Sequence, residues 1–250
     1  MTLLEMIAVV LAGAGAGMIN TVVGSGTLVT FPVLLSVGYP PIAANVANNI
    51  GLVPGSVSGV IGYRQELEGK WRRVGRLGVA SLFGGITGAI LLFALPPEAF
   101  ETIVPVFIVI ALVLIILQPR IGPWLAKRRP PTEHGGPALL AGVFVAGIYG
   151  GYFGAAQGIL LMALLSISLA DDLQTVNAFK NVLAGIVNGV AAIVFIIAVD
   201  VEWLPAGLIA VGAIVGAQLG ARYGKQLSPT ALRAVIVVVG IVAIVRLLAF

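Results

Sequence analysis

The feature that most limits what this chain can fold into is a succession of apolar blocks, near residues 3–22, 41–62, 74–95, 102–118, 137–154, 174–198, 203–221 and 230–249. A hydrocarbon core about 30 Å thick is crossed by about 20 helical residues, and each block approaches that length. Charged residues make up 10% of the 250-residue chain, against about 25% in a soluble domain. A water-facing surface cannot be made from that supply. The expected fold class is an all-α integral membrane protein with multiple passes. Two further apolar stretches, near 25–37 and 157–169, are too short to span: 13 residues rise about 20 Å, which suits a broken or re-entrant helix.

The blocks repeat. Gly17 and Gly24 meet Gly147 and Gly154 at a separation of 130 (147−17 and 154−24), so GMINTVVG lies over GIYGGYFG. After two extra residues around Asp171 and Asp172 the separation becomes 132. At that offset Asn45 and Asn49 meet Asn177 and Asn181, Trp71 meets Trp203, Gly84 and Gly88 meet Gly216 and Gly220, and Pro97 meets Pro229. Chance does not hold one register so far. Each half then has a broken or re-entrant hairpin plus three spanning helices, an odd number of segments, so the halves should face opposite ways across the bilayer.

Charge supports the same orientation independently. The loop from Arg64 to Arg76 carries Arg64, Lys70, Arg72, Arg73 and Arg76 against Glu66 and Glu68, whereas its counterpart in the second half has only Asp200 and Glu202. Lys and Arg accumulate on cytoplasmic loops, which puts the first loop inside and the second outside. The expected organisation is a first membrane repeat over 1–120, a basic cytoplasmic connector over 121–136 and an inverted second repeat over 137–250, with both termini external. The cations of this basic chain, net charge +4, sit between apolar blocks, where they orient a membrane protein, so nucleic acid is not an expected partner.

Composition removes several chemistries. Zero Cys excludes disulfide frameworks, thiolate nucleophiles and Cys-bound metal, and a single His, His134 in a charged loop, allows no triad or His-rich metal site. No Asp or Glu falls clearly inside an apolar block, so a carboxylate proton relay has no evident member. No cofactor and no enzymatic activity are expected.

Inverted repeats place a transporter's substrate site at their interface, lined by discontinuous helices. The first interruption runs through Asn20, Gly24, Ser25, Gly26 and Thr27; the second through Gly154, Ala155, Ala156 and Gln157. A break in hydrocarbon frees backbone polar groups and implies a cavity that satisfies them. Each new helix begins with unpaired N–H groups and a positive dipole end, and two such ends converging predict an anionic ligand. Glycine clusters also serve plain helix packing, which remains the competing reading. Asn45 and Asn49, with Asn48 between them, and Asn177 and Asn181 lie four apart, so each pair shares a helix face that should point into protein. They serve either a ligand or interhelical hydrogen bonding. Lys180 takes the place of Asn48, eight residues or about 12 Å beyond Asp172. It either snorkels to the cytoplasmic interface or faces the centre as counter-charge for an anion.

The run Gly-x6-Gly-Ser-Gly-x5-Pro from Gly17 to Pro32, the Gly-Tyr-Pro-Pro-x2-Ala-Asn segment from Gly38 to Asn45, and their degenerate copy from Gly147 to Asn181 resemble the sulfite exporter TauE/SafE family of membrane permeases. The resemblance implies a bacterial inner-membrane permease for small sulfur-containing anions such as sulfite or organosulfonates. Ala155, Ala156 and Gln157 depart from the more glycine-rich family pattern at the second break. By motif match, Gly24, Ser25, Gly26, Gly154 and the Asn-bearing helices carry over as site residues. The leading expectation is alternating access for a small anion at a mid-membrane site. Alternatives are an anion channel or a carboxylate permease on the same architecture, a membrane-embedded enzyme, or a receptor without transport. Expected partners are the anion and membrane lipid; oligomeric state stays open.

Overall fold

The computed structural model describes residues 1–100 and 135–223, with positions 102, 103, 105, 106, 109, 113, 116, 117, 238 and 241. The expected connector 121–136 lies almost wholly outside the described residues, as does the last block, 230–249, and the block at 102–118 is described only in part. The described elements are helical throughout: α1 (Leu3–Val22), α2 (Thr27–Ser36), α3 (Pro41–Gly62), a 3-10 turn at Arg64–Leu67, α4 (Trp71–Ala94), α5 (Gly136–Tyr152), α6 (Gln157–Ser168), α7 (Leu173–Ala198) and α8 (Trp203–Tyr223).

Local chemistry explains where these helices begin. Thr2 and Glu5 form a capping box at the start of α1, with Thr2 N–H donating to Glu5 Oε2 at 2.7 Å and Glu5 N–H to Thr2 Oγ1 at 3.3 Å. Pro41 occupies the first position of α3, where its missing N–H costs nothing. Asp172 caps α7 by accepting from the N–H groups of Gln174 and Thr175.

Four helices, α1, α4, α7 and α8, are long and apolar enough to cross a membrane. Their outward faces carry Leu4, Leu11, Val79, Phe83, Ile193, Ile197, Val211 and Val215, all exposed. Side chains of that kind suit lipid rather than water. The sequence reading placed α3 in the same class by length. Its 22 residues suffice, yet Asn45, Asn48, Asn49, Ser56 and Ser58 make it less apolar than the others, and all five are buried inside the protein.

Close glycine contacts fix how the helices run. Gly13 and Gly17 of α1 lie on Ile209 and Ala213 of α8, and Gly51 and Gly55 of α3 lie on the same two residues. Contacts advancing together mean that α1, α3 and α8 point one way. The chain must therefore double back between α1 and α3, and α2 does so: Gly26 packs near Ala16 and Asn20, and Val29 near Gly15. In the same way Gly84 and Gly88 of α4 lie on Phe144 and Ile148 of α5, and Gly78 and Gly85 lie on Ile186 and Val190 of α7, so α4, α5 and α7 share a direction and α6 returns between them.

These contacts are reciprocal between the halves. Gly84 meets Phe144 and Gly216 meets Ala14; Gly88 meets Ile148 and Gly220 meets Met18. Subtracting 132 takes Gly216 to Gly84 and subtracting 130 takes Phe144 to Ala14 (216−132 = 84, 144−130 = 14), so each contact is the image of the other under the repeat. Gly84, Gly88, Gly216 and Gly220 are thus packing residues. Where α3 meets α7, Asn188 Nδ2 donates to Ser56 Oγ at 3.3 Å. These two positions are also 132 apart.

Candidate functional site

Both interruptions are tight reversals. α1 stops at Val22, Gly24 takes a positive φ of 91°, and α2 starts at Thr27; α5 stops at Tyr152, Gly154 has φ 79°, and α6 starts at Gln157. At the second turn the residue before α6 is Ala156, the one non-glycine among the described residues with positive φ, at 60°. The two turns touch. Gly158 N–H, in the first turn of α6, donates to the Gly24 carbonyl at 3.0 Å, and a Cβ on either residue would run into the backbone of the other.

Around this contact the polar residues divide by task. Asn177 Nδ2 and Asn181 Nδ2 donate to the Thr21 carbonyl at 3.1 and 3.2 Å, while Lys180 Nζ donates to the carbonyls of Asn20 at 2.8 Å and Thr21 at 3.2 Å. Three residues of α7 thus satisfy the last carbonyls of α1. Asn45, the counterpart of Asn177, does the same for α5, donating to the Tyr152 carbonyl at 3.1 Å. Asn48, the counterpart of Lys180, stays within its own half: its Nδ2 donates to Thr27 Oγ1 at 3.2 Å, and its Oδ1 accepts from Thr30 Oγ1. Asn49 Nδ2 reaches Asn188 Oδ1 at 3.5 Å, linking α3 to α7.

The two positive helix ends expected from the sequence, at α2 and α6, are accompanied by two negative ones. Each break also brings in a helix carboxyl end, at α1 and α5, whose free carbonyls carry partial negative charge. The Asn and Lys side chains answer those carbonyls. Lys180 neither reaches bulk water nor stands open as a counter-charge: it is 0% exposed, with two of its three donors on α1.

The groups left without a protein partner are then few. Ser25 Oγ at the first break and Gln157 Nε2 at the second are buried and unpaired, as are Asn49 Oδ1 and Asn177 Oδ1. Ser25 and Gln157 are next in sequence to the two glycines in contact, and the Gln157 amide lies over Gly150 of α5. Among the expected site residues, Asn20, Gly24, Ser25, Gly26, Thr27, Asn45, Asn48, Gly154, Gln157, Asn177, Lys180 and Asn181 fall around the paired breaks, while Asn49 lies toward Asn188. Sequence reasoning missed Thr21, Thr30, Ser56 and Asn188. The offset of 132 pairs Ser56 with Asn188 and was a signal for both; Thr21 enters through its backbone, which no side-chain pattern announces.

A charged cluster borders the site. Arg73 at the start of α4 grips Asp171 with two contacts, Nη1–Oδ2 at 2.8 Å and Nη2–Oδ1 at 3.0 Å, and lies 5.1 Å over the Phe179 ring. Lys70 Nζ adds a 3.4 Å contact to Asp171 and a 3.0 Å hydrogen bond to Thr175 Oγ1. Asp171 belongs to the two residues by which the second half exceeds the first, so the other half has no position equivalent to it.

Apolar spans, doubled-back helices and buried polar groups at paired breaks define a polytopic membrane protein of transporter type. Relatives agree over most of the chain. A "Probable membrane transporter protein YfcA" from Escherichia coli (strain K12) is 30% identical over 237 residues, 93% of this chain and 86% of the relative. "Probable membrane transporter protein ORF9" from a Sinorhizobium species is 28% identical over 236 residues, covering 94% and 88%. A "Probable membrane transporter protein" from Haemophilus influenzae is 25% identical over 230 residues, covering 90% and 88%. The sequence profile of the family described as "Sulfite exporter TauE/SafE" matches residues 9–247, and the chain belongs to that family.

Proposed function

We propose that this protein is a secondary transporter for small sulfur-containing anions, sulfite or an organosulfonate, working by alternating access between two inverted repeats in a bacterial cell membrane. The observation that carries the reading is the contact between the breaks, with Ser25 Oγ and Gln157 Nε2, from the residues next to the touching glycines, buried and unpaired. Two hydrogen-bond donors and two helix N-termini then hold the anion's oxygens, because the opposing helix carboxyl ends are already answered by Lys180, Asn177, Asn181 and Asn45. The choice of sulfur-containing anions rests on the family.

Inversion is supported by helix direction. α1, α3 and α8 run one way and α4, α5 and α7 share a direction; the short link from Gly62 to Trp71 turns the chain back from α3 into α4, which opposes the two sets. The counterpart of α1 is α5, in the opposite set. Repeats over 1–120 and 137–250, joined by a cytoplasmic connector at 121–136, with both termini external, complete the arrangement, and the positive loop at Arg64–Arg76 orients it.

The test is labelled sulfite flux in proteoliposomes with wild type, Ser25→Ala and Gln157→Leu. Losing one hydrogen bond to an ion is worth about 1.5–3 kcal/mol, so half-saturation should rise about tenfold or more in each variant. Unchanged flux kinetics in both would remove these donors from the site. Conductance far above carrier turnover would replace the carrier by a channel.

A further inference from the structure

Carbonyl oxygens at the carboxyl end of an interrupted membrane helix are where many secondary carriers hold a coupling cation. Here the corresponding oxygens, of Asn20 and Thr21, are held by Lys180 Nζ at 2.8 and 3.2 Å, in a setting with no solvent exposure. Asn177 Oδ1, a neutral acceptor on the adjoining turn of α7, is buried and unpaired beside them, its amide nitrogen fixed on the same Thr21 carbonyl. Two backbone carbonyls and an amide oxygen are hard neutral ligands of the kind a small monovalent cation takes. The aliphatic stem of Lys180 runs past Gly24, where a Cβ would stand 3.1 Å from its Cδ, so the same side chain ties this cluster to the paired breaks. In the other half the equivalent position is Asn48, which bonds to Thr27 and Thr30 instead of to the end of α5. Among the described residues, only the first break has a cation built in.

We propose that the end of α1 is a monovalent-cation site whose occupant is the tethered Lys180 ammonium, so that anion transport needs no free coupling cation. Truncating Lys180 empties the site and makes the protein responsive to an added small cation.

Detergent-solubilised wild type, Lys180→Ala and Lys180→Met are melted in choline, sodium and methylammonium chloride of equal ionic strength, and the same proteins are reconstituted for flux. Sodium or methylammonium should raise the melting temperature of Lys180→Ala by several degrees over choline and leave wild type unmoved. Lys180→Met, which refills the space with an apolar chain, should respond to neither. In proteoliposomes, Lys180→Ala should lose about tenfold in flux in choline, the size of one hydrogen bond to a charged group, and regain most of it with the small cation. Where Lys180→Ala does not yield folded protein, Lys180→Ser keeps the space and one donor, and the same ion-specific shift is expected. Identical melting of the truncated variants in all three salts, or wild-type flux that requires sodium, overturns the proposal. The flux arm rests on the transport reading; the melting arm does not. Ion-specific stabilisation of Lys180→Ala without anion flux in wild type would sink the transport reading and leave the cation site standing.

Discussion

At the residue scale the second break holds a conflict between local preference and position. Ala156 has φ 60° and is buried at 1% exposure, and an L-residue in that left-handed region costs about 1–2 kcal/mol. Ala156→Gly should therefore raise stability by about 1 kcal/mol, read as a higher melting temperature in detergent. A lower one would mean that the methyl group's packing outweighs the strain. Asp172 gives a second expectation. The hydrogen bond from the Thr175 side chain, followed by that from its backbone, holds the Asp172 carboxyl below the ordinary carboxylate range. A lowered folded value stabilises the protein above the ordinary range and is lost as pH falls through the folded value. Asp172→Asn should thus melt lower than wild type at about pH 7, with the gap closing as pH falls below the ordinary carboxylate range and through the folded value. A gap independent of pH would assign the effect to cap geometry alone. Of this residue-level detail the sequence disclosed which positions are polar within apolar blocks, but not their partners. That Asn177, Lys180 and Asn181 all serve one stretch of α1 depends on residues about 156–160 positions away, and no periodicity within α7 encodes them.

At the scale of elements, helix limits were legible because Pro, Gly and charge punctuate the apolar runs: α2 and α6 begin within two residues of their expected starts, and α7 within one. Direction was not legible, since a 13-residue apolar run reads alike whether it crosses or returns. Parallel glycine contacts of α1 and α3 on α8 resolve that point. Element-level packing also gives the Arg73–Asp171–Lys70 cluster its consequence. It joins the start of α4 to the start of α7, so the proposed alternating access requires it to loosen or to travel as one body. The chain has no Cys, so a double variant, Arg73→Cys with Asp171→Cys, is cross-linked without background. Oxidation should abolish flux and reductant restore it if the two helices part during the cycle. Flux untouched by a complete cross-link would show that α4 and α7 move together.

For the whole molecule, the interface between halves is built where glycine lets backbones meet. A Cβ on Gly216 would land on the Ala14 carbonyl, whereas one on Gly207 would meet nothing within 4 Å. Gly216→Val should cost about 1–3 kcal/mol through overpacking, while Gly207→Ala should be neutral or better by about 0.5–1 kcal/mol, both by thermal unfolding. Equal effects would mean that the α1–α8 seam is not what limits stability. The reciprocity of this interface was foreshadowed by the offsets of 130 and 132, though which helix of one half grips which of the other was not. A repeat reveals equivalence, and pairing is decided by shape.

That pairing sets the order of assembly. Because Gly13 and Gly17 rest on Ile209 and Ala213, α1 meets its main partner only about 196 residues after it is made. Well before that, α5 to α7 supply the partners of the backbone groups freed at the first turn and of the Asn45 and Asn49 amides, while Asn48 finds Thr27 and Thr30 within its own half. The second half therefore completes the first during biogenesis, and it is a nascent chain halted before α7 that would leave the carbonyls of Asn20 and Thr21 unanswered in lipid.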